Sequence, residues 1–199
     1  MSFGPCYNPI LQALSILFGA FFTVAVATAL GASLLRGECE DLALRFITGA
    51  AVVSLAVFSI CAAQLAYPLV FAVLGAAALL VGPVRGLPWR RSLLRKVQYL
   101  PHNRLLLLAF IPFLILYFFS SMAPEASYDG SRYHLALVGR YLREHGFHPI
   151  TNNMYASLSQ GVEMLYLWAF AFGRHSAAAM VHFAFLLGEY KGARLYRLP

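Results

Sequence analysis

The residues best suited to chemistry lie in a polar stretch, residues 124–160, between long hydrophobic runs. This stretch holds three of the chain's eight acidic residues and three of its six histidines. Asp129 stands where the chain leaves a hydrophobic run, so partial desolvation of its carboxylate is expected. Desolvation of this kind is one way in which proteins turn a carboxylate into a general base. Asp129 is therefore the candidate catalytic residue, with a helix cap as its alternative role.

Charged groups around Asp129 suggest binding of an anionic or polar ligand. Arg132 and Arg140 could meet phosphate groups, because guanidinium matches phosphate geometry. Glu163 lies at the head of the next hydrophobic run, where an acid is costly unless it is paired or functional. We expect an arginine or a backbone donor as its partner.

The three histidines of the stretch could belong to a metal site, since imidazole binds zinc and related ions. His134, His145 and His148 are separated by 11 and 3 residues. These separations favour hydrogen bonding at an interface over metal ligation, so we predict neither a metal nor another cofactor. Tyrosines of the stretch are typical of an aromatic belt at a membrane surface.

Part of the polar stretch has the pattern of an amphipathic helix over about residues 131–144. Ser127 or Asp129 could cap its start, and Gly146 is the expected stop signal. Apolar residues share one face at i, i+3 and i+7, and arginines lie on the other, so we expect this helix to lie at a membrane surface. The apolar positions are Leu135, Val138 and Leu142.

The elements that must position these residues are hydrophobic helices. Hydrophobic residues make up 60% of the 199-residue chain and charged residues only 12%, which is far from the composition of soluble domains. Residues 10–35, 46–84 and 105–123 contain no charge, and one membrane span needs about 20 apolar residues. Residues 1–84 therefore predict three transmembrane helices, with a turn at residues 64–67, and residues 105–123 predict a fourth.

The basic residues predict the orientation. Residues 85–104 contain six Lys or Arg and no acid, which is typical of a cytoplasmic loop. The N-terminus and residues 124–160 should then be extracytoplasmic, in a multi-pass protein of the cell (inner) membrane. Membrane lipids are the expected partners, and the net charge of +7 is explained by topology rather than by nucleic acid. The spacing of Cys6, Cys39 and Cys61 indicates neither a metal site nor a disulfide framework.

The C-terminal part departs from this regular pattern. Residues 161–187 predict a short helical hairpin or incomplete spans, because residues 173–175 interrupt a hydrophobic run. A basic tail, residues 188–199, follows. We expect the chain to be an N-terminal portion of a longer protein.

The order of several short motifs carries a family resemblance. A Y-D-x-x-x-Y-H-L segment precedes an amphipathic helix that ends in glycine, then H-P, N-x-x-Y-x-S and V-E-M-L-Y. This order resembles the first large extracytoplasmic loop of C-type membrane glycosyltransferases, and more narrowly that of bacterial relatives of the dolichyl-phosphate-mannose–protein mannosyltransferases. The resemblance covers roughly residues 105–187. Its matching residues are Tyr128, Asp129, Tyr133, His134, Leu135, Gly146, Pro149, Asn153, Tyr155, Ser157, Val162, Glu163, Met164, Leu165 and Tyr166.

The resemblance implies transfer of a sugar from a polyprenyl-phosphate donor to an acceptor on the extracytoplasmic face. Asp129 matches the catalytic Asp of that family and would take the proton of the acceptor hydroxyl. The candidate substrate-binding residues are Arg132, Tyr133, His134, Arg140 and Glu163.

Two other functions stay open at this point. The chain could be a non-catalytic multi-pass membrane protein, either an assembly partner or a lipid-binding module. A transporter subunit is disfavoured, because no predicted span before residue 124 carries an ionisable residue in its middle. The fold prediction is an all-α, polytopic transmembrane protein whose extracytoplasmic loop contains an amphipathic juxtamembrane helix.

Overall fold

The computed structural model describes residues 8–35, 41–84, 104–123, 128, 130, 134–151, 153–157 and 160–192. Within these residues all regular secondary structure is helical, which confirms the all-α prediction. The helices that this part of the chain forms are α1 Pro9–Leu34, α2 Leu42–Ala62, α3 Pro68–Val84, α4 Arg104–Met122, α5 Leu135–Arg143 and α6 Gly161–Gly192, with a 3-10 helix at Met154–Ser157.

The N-terminal helices begin at polar caps and follow the charge-free runs. The Asn8 side chain accepts a hydrogen bond from the Ile10 amide, and Asp41 accepts bonds from the first amides of α2. Among the described helices, α1 and α2 are long and apolar enough to cross a membrane, and α3 and α4 contain shorter apolar stretches. Length and composition therefore support association with a membrane.

Helix α1 packs against α2 through backbone rather than side chains. A Cβ atom added to Gly31 would lie 1.8 Å from the Arg45 carbonyl oxygen, and one added to Gly49 would lie 1.6 Å from that of Ala27. Such distances leave no room for any side chain at either position. The two helices are antiparallel, since moving from 31 to 27 along α1 moves from 45 to 49 along α2.

Helix α6 crosses the other part of α1 in the same way. A Cβ at Gly19 would lie 2.8 Å from the Ala169 carbonyl oxygen, and one at Gly173 would lie 2.7 Å from the Ile16 Cα. Around this crossing, Phe22 packs between Trp168 and Phe172. Small residues at crossings and aromatic residues beside them are typical of helix packing in membranes.

Helix α6 is broken at Arg174, within the interruption predicted at residues 173–175. Arg174 has φ 55° and ψ −146°, which is outside the helical region. Tyr166 and His182 are hydrogen-bonded, although 16 residues of straight helix would separate them by about 24 Å. The chain therefore folds back at Arg174. We call residues 161–173 the first arm and residues 175–192 the second arm.

Helix α5 differs from its prediction in its stop signal. The structure describes it over Leu135–Arg143, while residues 131–133 and the predicted caps, Ser127 and Asp129, lie outside the described residues. The residue in the left-handed conformation after the helix is His145, with φ 62°, and not Gly146. Gly146 is needed for a different reason, because a Cβ there would lie 2.4 Å from the Cys61 carbonyl oxygen.

Helix α5 packs against the first arm of α6, and its expected position at a membrane surface stays a prediction. His134 contacts Glu163, and Gly139 packs on Phe170, so α5 runs alongside the first arm. Its apolar face is buried there, with the charged face turned away. The other end of α5 is held by the turn between α2 and α3, where the Ala66 amide donates to the His145 carbonyl at 2.9 Å. The buried side chains of α5 are Leu135, Leu137, Val138 and Tyr141.

The glycine crossing predicts a strong asymmetry between two Gly→Ala substitutions. We expect Gly49→Ala to lower the free energy of unfolding by about 1–3 kcal/mol, because the added methyl overlaps the Ala27 carbonyl. Gly161→Ala is the matched control, since nothing lies within 4 Å of its added Cβ. Denaturant unfolding in detergent micelles measures both, and equal stability of the two variants would contradict the crossing.

Tyr141 predicts a loss of stability at alkaline pH. Burial raises the pKa of this phenol above its usual value of 10.0, with smaller contributions upward from Cys61 and Glu163 and downward from Arg140. The unfolded chain therefore loses this proton first, so stability is full below about pH 10 and falls as pH rises above it. Tyr141→Phe should flatten this decline in melting temperature between about pH 9 and 11. Replacing the exposed Tyr128 with Phe should leave the decline in place, and a Tyr141→Phe variant with an unchanged decline would refute the assignment.

Candidate functional site

A cavity of about 450 Å³ lies between α4, the start of α5 and the two arms of α6. Its volume is within the range of about 300–1,000 Å³ that is usual for small-molecule sites. The walls are largely apolar, and a few polar groups converge on the interior. The lining residues are Tyr117, Ser120, Ser121, Gly130, His134, Leu135, Val162, Glu163, Tyr166, Ala178, Ala179 and His182.

Glu163 is the buried acid of this cavity. Its side chain is only 8% exposed, whereas that of His134 is 48% exposed. The His134 Nδ1 lies 2.7 Å from Glu163 Oε1, so the ring N–H donates to the carboxylate. Among the described residues the partner is a histidine, whereas an arginine or a backbone donor was expected. A buried carboxylate needs such a partner, since an uncompensated charge in an apolar wall is costly.

A second polar pair crosses the cavity between the arms. The Tyr166 hydroxyl and His182 Nδ1 are 2.5 Å apart, and Tyr166 comes one helical turn after Glu163. The first arm therefore presents Glu163 and Tyr166 on one face, because residues at i and i+3 are neighbours on a helix. The fold at Arg174 then brings His182 of the second arm to that face.

Helix α4 closes the cavity through polar contacts with the second arm. The Ser176 hydroxyl donates to the Ala123 carbonyl at 3.1 Å. The Ser121 hydroxyl bonds within its own helix and also contacts the Met180 sulfur at 2.8 Å. The Tyr117 ring stacks on Phe183, with the two ring planes 23° apart. These contacts fix the wall that carries Tyr117, Ser120 and Ser121.

The structure brings together two of the residues predicted from sequence. His134 and Glu163 both line the cavity and contact each other. Arg140 does not line it, because its Nε donates to Glu144 Oε1 at 2.8 Å on α5. Asp129, Arg132 and Tyr133 lie outside the described residues. Gly130, which follows Asp129 in the chain, does line the cavity.

Five polar residues of the cavity were not among the site residues predicted from sequence, although one of them, Tyr166, belongs to the V-E-M-L-Y motif. Tyr117, Ser120 and Ser121 are at the end of a hydrophobic run, and Tyr166 and His182 are within another. The sequence does offer one signal for Tyr166, because it is a polar residue in an apolar run and follows Glu163 by one helical turn. No local pattern indicates that His182 would reach Tyr166, since that contact depends on the fold at Arg174.

The other two histidines of the polar stretch are engaged elsewhere. His145 stacks on the Tyr67 ring with centroids 3.9 Å apart, and His148 Nε2 lies 3.2 Å from the Glu144 carbonyl oxygen. Among the residues that the structure describes, no group of three His, Cys, Asp or Glu could hold a metal ion. The described lining of the cavity also contains neither Lys nor Arg.

An apolar groove of about 280 Å³ adjoins the cavity. It runs between α4 and the second arm, and Tyr117 and Ser120 line both spaces. The remaining residues of the groove are Phe110, Phe113, Leu114, Leu116 and Leu186. The cavity with its converging polar groups thus shares a wall with a hydrocarbon-like groove.

Comparison of the chain with protein-family models, with curated proteins and with solved structures finds no match in any of the three. The function of the chain is therefore inferred from the chemistry and geometry of the cavity itself.

The pair formed by His134 and Glu163 should be measurable as a coupling energy. We expect His134→Ala to lower the free energy of unfolding by about 1–3 kcal/mol, because it leaves a buried carboxylate without this partner. In a double-mutant cycle with Glu163→Gln, the double variant should be about 1 kcal/mol more stable than the sum of the two single effects predicts. His148→Ala is the control, since His148 is exposed and bonded only weakly. Strict additivity of the two cavity substitutions would show that the pair does not contribute.

Proposed function

We propose that this chain is a multi-pass membrane glycosyltransferase, or a portion of one. It would transfer a sugar from a polyprenyl-phosphate donor to an acceptor at the extracytoplasmic face of the cell membrane. The observation that carries the proposal is the buried Glu163 carboxylate, held by His134 in a cavity that Gly130 also lines. Gly130 follows Asp129, the residue that the family resemblance assigns as catalytic.

The proposed reaction assigns one step to each group. The Asp129 carboxylate takes the proton from the acceptor hydroxyl as its oxygen bonds to the anomeric carbon of the sugar. The bond from that carbon to the phosphate oxygen breaks, and polyprenyl phosphate leaves with the electron pair. Glu163 and His134 bind hydroxyl groups and so orient the reacting sugar or acceptor.

The leaving phosphate needs a cation to stabilise its charge. Arg140 was one candidate, but its guanidinium is bonded to Glu144 on α5. Arg132 remains the local candidate from the sequence. Tyr133, next to His134, is a further candidate for binding the substrate.

Exposed apolar side chains support the membrane location in this proposal. Large hydrophobic residues are exposed along α1, α2, α3 and α4, and an aqueous surface rarely carries so many. Phe21, Leu69, Leu80 and Phe113 are each more than 60% exposed. Contact with lipid chains satisfies these residues, and the proposed topology has four N-terminal spans with the basic residues 85–104 in the cytoplasm.

A non-catalytic lipid-binding module is the second candidate function. The apolar groove that adjoins the cavity favours it, because the groove and the cavity together could hold a lipid without any reaction. The two candidates differ in one observable, which is the release of polyprenyl phosphate.

The proposed activity can be tested in liposomes that contain the purified chain, radiolabelled polyprenyl-phosphate hexose and a membrane-lipid acceptor extract. We expect labelled acceptor and free polyprenyl phosphate to appear together. Asp129→Asn should lower the rate by about 100-fold or more, as loss of a general base does. Glu163→Gln should lower it by about tenfold, because one substrate contact is weakened.

Glu144→Gln is the matched control, since Glu144 pairs with Arg140 outside the cavity lining. Its rate should stay within about twofold of the unmodified chain. Full activity of Asp129→Asn would exclude its role as the base. Failure of the unmodified chain to release polyprenyl phosphate from hexose or pentose donors would favour the lipid-binding module.

A further inference from the structure

We infer that the cavity binds the acceptor rather than the donor phosphate, and that this acceptor is an amphiphile with an uncharged, hydroxyl-bearing head group. The hydrocarbon chain of this amphiphile lies in the adjoining groove. The role of this ligand as an acceptor rests on the proposed function, whereas the chemistry of its head group is inferred from the cavity alone.

The charges of the described lining disfavour a phosphate. Glu163, the acidic side chain of that lining, is buried, and no Lys or Arg among the described lining residues could compensate a second anion. A phosphate placed there would be repelled by the carboxylate in a setting of low dielectric constant. A positively charged head group is also a poor fit, because His134 already donates to that carboxylate at 2.7 Å.

The polar groups of the cavity match hydroxyls instead. Carboxylate oxygens accept hydrogen bonds, and the Tyr and Ser hydroxyls and the imidazoles can donate or accept. These groups are distributed around the lining, with Ser120 and Tyr117 on α4, Glu163 and Tyr166 on the first arm, and His182 on the second. A ring with several hydroxyls can donate to the carboxylate and also accept from the Tyr and Ser hydroxyls, whereas an ionised phosphate can only accept.

The groove supplies the second half of the argument. It shares Tyr117 and Ser120 with the cavity, and its other described residues are Phe and Leu. A ligand whose head group fills the cavity therefore has an apolar surface beside it, along α4, for a hydrocarbon chain. This adjacency is why we assign a lipid-linked hydroxyl compound rather than a free sugar.

The test compares three photoreactive probes that share one diazirine-bearing alkyl chain and differ only in a glucosyl, phosphate or trimethylammonium head group. The chain is placed in phosphatidylcholine nanodiscs, illuminated with each probe and digested for mass spectrometry. We expect the glucoside to label peptides of α4 or the second arm, and to do so about tenfold more than either charged probe. An excess of unlabelled alkyl glucoside should remove this labelling.

Two cavity variants and one control separate binding from folding. Glu163→Gln should reduce glucoside labelling of the groove by about fivefold through a lost hydrogen bond, and Ala179→Leu should abolish it by filling the cavity. Glu144→Gln should leave it unchanged, since Glu144 does not line the cavity. Labelling of α3, which does not line the cavity, reports on the fold. If one cavity variant changes the labelling of α3, the other cavity variant is used for the comparison.

Preferential labelling by the phosphate or ammonium probe would overturn the inference. So would labelling of α3 and α4 to the same extent by all three probes. Selective glucoside labelling without any sugar transfer would refute the proposed function and retain the head-group assignment. Sugar transfer together with phosphate-selective labelling would refute the assignment and retain the function.

Discussion

Direct packing of helix backbones against α1 is the contact on which the rest of the structure depends. Gly31 and Gly49 let α1 and α2 approach without any intervening side chain, and Gly19 and Gly173 do the same for α1 and α6. Helices with no aqueous driving force between them associate through such close van der Waals contact. Because α1 holds α6 in this way, it also sets the position of Glu163, which belongs to the first arm of α6.

The second requirement is the fold-back at Arg174. A non-glycine residue with this φ and ψ costs about 1–3 kcal/mol, so the surrounding packing must hold it. Gly173 lies against the α1 backbone beside the break, and the second arm is tied to α4 through Ser176. The result is a cavity whose polar groups come from three helices. Neither arm alone could form it.

Much of the fold follows from local pattern, whereas the pairing of the polar groups does not. Charge-free runs of sufficient length predict α1 to α4 closely, because a hydrophobic segment has few structural alternatives. Glu163 was recognisable as an acid in an apolar run, and the break near Arg174 was recognisable from its composition. The partner of Glu163 could not be recognised from the sequence, since His134 is 29 residues away and reaches Glu163 only when α5 packs along the first arm. Arg140 does not line the cavity, and its guanidinium bonds to its i+4 neighbour, Glu144.

The sequence by itself determined the helical class, the apolar character of the helices and the acid that had to be partnered. These properties depend on composition and on spacing within a few turns, which any chain of this pattern shares. The tertiary structure alone decided that α5 packs alongside α6, that Tyr166 meets His182 and that the cavity lies beside an apolar groove. Those outcomes arise from contacts between residues far apart in the chain. Their geometry is set by where glycine allows two backbones to touch.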